Sequence, residues 1–166
     1  LNPVYRFMTR NDKNRSLIRQ GQKEYSTILG VNILPLQRLH AEVAGRVTRG
    51  EDTWRAQQSA VETGEAFLVY VLDKADEVVG GALFHRSDDE GLYAVGVYRR
   101  DLHDQPLGHL VQAFAIEHMQ NLGLSWYCLG LRPYEGVSDK ELQIAHFKEG
   151  WATHFFPRID TTIRLK

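Results

Sequence analysis

The chain has 166 residues, with 20 Lys and Arg against 21 Asp and Glu, a formal charge of −1 at pH 7. That balance excludes a surface built as a whole to hold DNA or an anionic membrane, and 43% hydrophobic with 25% charged residues is the composition of an ordinary globular chain with one core. The lone cysteine, Cys128, excludes an intramolecular disulfide and a cysteine-rich zinc site, and points to a reducing, cytoplasmic compartment.

No apolar run approaches the roughly 20 residues of a membrane helix, so no membrane insertion is expected. The opening Leu1-Asn2-Pro3 is neither a signal peptide nor an initiator methionine. Residues 1–30 are therefore expected to be an N-terminal segment and helix continuing from a missing upstream domain, with one domain over 31–166.

Leu17, Ile18, Tyr25, Ile28 and Leu29 predict a polar helix over residues 14–29 that stops at Gly30. Pro35 opens a second helix in which Leu36, Leu39, Val43 and Val47 recur at steps of three and four. A third runs from about Asp52 to Thr63. The pattern then changes period. Apolar runs over 66–72 and 78–84, separated by Asp73-Lys74-Ala75-Asp76, predict a hairpin, and residues 92–98 a third antiparallel strand.

A helix over about 107–122 follows, with Leu110, Val111, Phe114, His118 and Leu122 on one stripe. After such a crossover the run 124–131 should lie parallel to the third strand. Ser138-x-x-Glu141 is a capping box for a helix to about Glu149, and the stretches 151–156 and 161–165 predict edge strands. This order implies the α/β layered GNAT acyltransferase fold: a mixed sheet with antiparallel N-terminal strands, a parallel central pair, and helices on both faces.

In that fold an acyl donor rests its diphosphate on backbone amides at the start of the helix after the third strand, where orphan N–H groups and the dipole favour an anion. Here the turn reads Arg99-Arg100-Asp101-Leu102-His103-Asp104-Gln105-Pro106-Leu107-Gly108-His109. Gln105 and Gly108 supply half of the pattern and are the candidate donor-binding residues. Pro106 removes an amide and His109 is bulky where a small residue is needed, so coenzyme A should bind weakly or not at all.

Several clusters are similar to the Fem-type (FemABX-like) branch of the GNAT superfamily. They are Leu39-His40-x-x-Val43-Ala44-Gly45-Arg46-x-Thr48-Arg49 with Thr53-Trp54-x-x-Gln57, then Tyr93-x-x-Gly96-x-Tyr98, Pro106-Leu107-x-His109, and Lys140-Glu141-x-x-Ile144-x-x-Phe147-Lys148-x-Gly150. Phe147-Lys148-Glu149-Gly150-Trp151 resembles the Phe-Lys-x-Gly-Phe signature closing the second GNAT domain of Fem ligases, with Trp151 replacing the usual Phe. The resemblance implies Phe147 and Lys148 beside an acyl-transfer site and a preceding GNAT-like domain as partner. The donor it implies, acetyl-CoA or an aminoacyl-tRNA, is not tightly bound, and the acceptor is a small molecule or an envelope precursor.

The chemistry gives each candidate a role and an ordinary alternative. Aminolysis builds negative charge on the acyl oxygen, which the Lys148 ammonium would stabilise; the alternative is a solvated lysine favoured by the helix C-terminus. Tyr98, and Tyr93 beside it, would donate to a carbonyl or protonate a leaving group, or simply pack across strands. His109 is a candidate general base or an early-turn surface residue. His40, Arg46, Arg49, Trp54 and Gln57 form a candidate acceptor site, an arginine fork with a stacking face, or else surface arginines around a core tryptophan.

No His-x-x-x-His pair or carboxylate triad has ligand spacing, so no metal is expected. The first functional reading is N-acyl transfer to an amine of a cell-envelope or polysaccharide precursor. A non-catalytic GNAT-like module and an ordinary acetyl-CoA-dependent acetyltransferase are the alternatives.

Overall fold

The computed structural model describes residues 12–131 and 137–156. Five strands form one sheet in the order β1-β2-β3-β4-β5, the first four antiparallel and the last pair parallel.

The first helix, α1 (Asp12–Gly21), is shorter than its periodicity predicts, and residues 26–30 form strand β1 (Ser26–Gly30) against β2. Tyr25, Ile28 and Leu29 imitate a helical stripe, but α1 packs so closely that a Cβ at Gly21 would meet Leu110 and Pro106 at 2.9–3.0 Å. The chain turns away there, and the Ser26-Thr27-Ile28 run completes the sheet edge instead. Helix α2 (Leu34–Ala44) ends at Gly45 with φ 68°, earlier than Val47, and α3 (Glu51–Glu62) follows the expected span.

Strand β2 (Ala66–Leu72) explains the uninterrupted apolar run, because both its faces are covered. Leu68 and Tyr70 pack with Leu36, Leu39 and Trp54 of the α2–α3 layer, whereas Phe67, Val69 and Val71 pack with Leu107, Leu110 and Val111 of α4 (Leu107–Asn121). Burying each such Leu or Phe contributes roughly 1.5–3 kcal/mol.

Strand β3 (Val78–Arg86) pairs with β4 (Glu90–Tyr98), and the register jumps there: Leu83 faces Val95 while Phe84 faces Tyr93. Ala94 is the extra residue of a β-bulge. Five positions apart, Tyr93 and Tyr98 would point to opposite faces of a regular strand; the bulge turns both to the α4 face.

Strand β5 is only Trp126–Cys128, with the parallel pairs Glu90–Trp126, Gly91–Tyr127 and Leu92–Cys128. The expected strand over 124–131 stops where β4 and β5 part. Helix α5 (Asp139–Glu149) begins with the full capping box: the Ser138 hydroxyl accepts from the Glu141 amide, and the Glu141 carboxylate accepts from the Ser138 amide at 2.8 Å.

Residues 151–156 form no strand. Trp151 is buried beside α4 and α5, and the His154 and Phe156 rings gather on Trp126, so ring contacts replace the expected ladder. The expected strand at 161–165 lies outside the described residues. Among the described residues no helix is long and apolar enough to cross a membrane.

Candidate active site

The parallel pairing of β4 and β5 ends at Leu92 and Cys128 while β4 runs on to Tyr98, and side chains from β4, α4 and α5 meet on its α4 side. The bulge at Ala94 lays the Tyr93 ring along its own strand, so that a Cβ at Gly96 would overlap the Tyr93 hydroxyl. Only glycine fits beneath it. The Tyr93 and Tyr98 hydroxyls lie 3.4 Å apart. Burial raises the pKa of both phenols, and the neighbouring Tyr93 pushes Tyr98 higher still, so both are neutral hydrogen-bond donors at pH 7.

Two members of this cluster carry no sequence signal. Tyr127 of β5 donates to Gln112 Oε1 at 2.5 Å. Gln112, on α4, is wholly buried, and its Nε2 has no partner among the described residues. A glutamine in a helical stripe reads as a solvent-facing residue; only the tertiary arrangement reveals it as a core donor. Tyr127→Phe should leave both polar ends of Gln112 unpaired, costing about 1–3 kcal/mol in urea denaturation. Gln112→Leu in that background should recover most of the loss.

At the α4 start, Gly108 sits between two aromatic rings: a Cβ there would lie 3.3 Å from Phe147 and 3.7 Å from Tyr98. Phe147 meets His109 edge-on at 5.2 Å between ring centres, and Trp151 lies 5.9 Å from the same imidazole. The structure thus brings Tyr93, Tyr98, Gly108, His109 and Phe147 together and adds Trp151 to them. Gln105 lies in the same turn, its amide donating to the Leu102 carbonyl.

Lys148 lies at the β5 lip instead. Its ammonium donates to the Leu131 carbonyl at 3.2 Å, and burial lowers its pKa. Among the described residues no carboxylate pairs with it.

Burial also lowers the pKa of His109, helped by Lys13, and that of His40 and His118, helped by Arg49 and Arg86. The folded chain therefore binds fewer protons than the unfolded chain below the ordinary histidine value of 6.5. Stability is fully present above that pH and falls as acid charges these rings. The urea midpoint should be lower at pH 5.5 than at pH 7.5, and His109→Gln should flatten the dependence.

The α2–α3 hairpin forms a second group on the opposite face of the sheet. His40 meets Trp54 edge-on at 5.5 Å, Arg49 covers the Trp54 ring at 5.9 Å, and Thr48 Oγ1 reaches His40 Nδ1 at 3.4 Å. Trp54 is 4% exposed and packs into the core, and Gln57 is buried with Oε1 unpartnered among the described residues. Arg46 stands exposed in the loop after Gly45, away from Arg49's contact with the indole.

A family model described as an acetyltransferase (GNAT) domain matches residues 13–149. The chain belongs to the GNAT acetyltransferase domain family. Solved GNAT structures share the fold. The aminoglycoside acetyltransferase meta-AAC0020 from an uncultured soil metagenomic sample, in complex with trehalose, is 12% identical with a TM-score of 0.65, over 87% of this chain and 98% of its own. AAC(6')-Iy, in complex with a bisubstrate analogue, is 8% identical with a TM-score of 0.66, over 86% and 99%. FemX is 14% identical with a TM-score of 0.63, over 84% of this chain and 53% of its own. No curated protein matches the chain by sequence.

The GNAT family implies acetyl-CoA as acyl donor, and the α4 start of this GNAT domain does not fit its diphosphate. Pro106 has no amide hydrogen, the Gln105 amide is taken by the Leu102 carbonyl, and the His109 amide by that of Pro106. Leu107 is buried, and the Phe147 ring covers Gly108. The amides that would converge on an anion are missing, used or covered.

Proposed function

We propose that this GNAT domain is an N-acyltransferase of the Fem-like kind, moving an acyl or aminoacyl group onto an amine of a cell-envelope or polysaccharide precursor. The observation that carries this reading is the parallel β4–β5 pairing that ends at Leu92–Cys128, with the two neutral phenols on β4 just beyond it and the Lys148 ammonium on the chain that follows β5. The Phe147-Lys148-x-Gly150 match and the fold shared with FemX support it.

In this reading the acceptor amine attacks the acyl carbonyl beside these groups. Its proton leaves to water or to His109, whose lowered pKa keeps it neutral and able to accept one. Lys148, which pairs with no carboxylate among the described residues, turns to the developing oxyanion, and Tyr98 donates to the same oxygen or to the leaving group. Tyr93 and Phe147 shape the acyl chamber. On the α2–α3 hairpin, Arg46 with His40 and Arg49 receives the acceptor, and the buried Trp54 and Gln57 support them from the core.

A second reading, a non-catalytic module that binds an acceptor or braces a partner domain, draws on the covered α4 start. Calorimetry with coenzyme A should give no binding tighter than micromolar. Sub-micromolar affinity would make this an ordinary acetyl-CoA-dependent acetyltransferase. Transfer assays with acetyl-CoA and with a pool of labelled aminoacyl-tRNA, each offered an amine-bearing envelope precursor, decide the rest. Transfer from the second donor alone is the expected result, and no transfer from either leaves the non-catalytic module.

A further inference from the structure

Charge is unevenly distributed along this nearly neutral chain. Six of its 20 Lys and Arg but only one of its 21 Asp and Glu fall in residues 1–23, so that segment carries +5 and the rest −6. In the fold, Arg15 and Arg19 of α1 and Lys23 in the turn after it line a groove of about 580 Å³, with Ser16 and Gln20 between them. That volume suits a small ligand.

Arg15 and Arg19 stand four residues apart, a like-charge spacing that works against an isolated helix. Arg15 is engaged within the fold, whereas Arg19 and Lys23 are exposed and, among the described residues, no carboxylate lies within ion-pairing distance of either. Glu24, the nearest acid in sequence, is drawn off to Lys74 at 2.5 Å. The groove belongs to the same end of the molecule as the α4 start, because α1 packs through Gly21 onto Pro106 and Leu110.

We propose that this groove is a binding site for the diphosphate of a small substrate, with Arg19 and Lys23 as its charged contacts and Ser16 and Gln20 as neutral hydrogen-bonding groups. Arg19 lies in the last turn of α1 and Lys23 in the turn that follows it, and both line the groove, so the two cations can flank one diphosphate. The number of cations argues against larger partners. Duplex-binding proteins commonly neutralise about 6–10 phosphates and polybasic membrane segments use about 4–8 Lys or Arg, and a chain that is negative beyond the groove repels both.

The test is calorimetry of the full chain with inorganic pyrophosphate, free of any transfer assay and hence independent of the acyl-transfer reading. Saturable binding is expected, at least tenfold weaker in R19Q/K23Q, and unchanged in R55Q, which removes an exposed arginine on α3. The charge-keeping pair R19K/K23R should retain it. Glutamine is a good helix former and both sites are exposed, so circular dichroism should show R19Q/K23Q folded as the parent. Absence of saturable binding, or equal affinity in R19Q/K23Q, overturns the proposal. So does pyrophosphate failing while phosphatidylserine vesicles or a single-stranded oligonucleotide bind in a manner that R19Q/K23Q abolishes.

Discussion

Replacing Lys148 with Met is expected to lower kcat by about 10²–10³ while KM and the urea midpoint stay nearly constant, the loss associated with one oxyanion donor. Methionine keeps the unbranched stem that crosses the β5 lip, so folding stability should change by less than about 1 kcal/mol. Among the described residues the ammonium is held by a neutral partner, the Leu131 carbonyl, and burial lowers its pKa. Losing the charge therefore breaks no ion pair among the described residues. A raised KM with kcat intact would make Lys148 an anchor for the acceptor and remove it from the chemical step.

The second large effect belongs to the bulge. Gly96→Ala places a methyl group where the Tyr93 hydroxyl lies, forcing the ring off its strand and parting it from Tyr98. Overpacking of this kind costs about 1–3 kcal/mol. Tyr93→Ala costs about 3 kcal/mol by leaving a cavity beside Phe84 and Tyr98. In the double variant the collision disappears, so the two losses should fall short of additivity by at least about 1 kcal/mol in urea denaturation. Strict additivity would mean that Tyr93 does not lie over Gly96.

Which features were legible in the sequence depends on whether the signal is local. The β2–β3 hairpin announces itself because β2 is buried on both faces, and the Ser138–Glu141 box because a cap is a four-residue device. Strand β1 is misread because Tyr25, Ile28 and Leu29 have helical spacing while its pairing partner, β2, lies about 40 residues away. The length of β5 is set by where two strands diverge, and the 151–156 stretch by rings it meets on other elements; neither is written in a periodicity.

The candidate site divides in the same way. Tyr93, Tyr98, Gly108, His109 and Phe147 lie together in the fold, and the bulge at Ala94 explains how both tyrosines reach one face. Gln112 and Tyr127 were invisible because a buried amide and its phenol partner, 15 residues apart, form no motif.

The three-rung ladder between β4 and β5 also bears on the cohesion of the molecule. Helix α5, beyond Cys128, follows a very short seam in the sheet and is held besides by the Phe147 ring against His109 and by the Asn14 side-chain amide donating to the Gly150 carbonyl at 3.2 Å. A molecule that lodges beyond this seam, against both β4 and α5, acts as a removable crosslink. Its affinity then appears partly as resistance to unzipping, about 2.7 kcal/mol when it is present at a hundred times its dissociation constant.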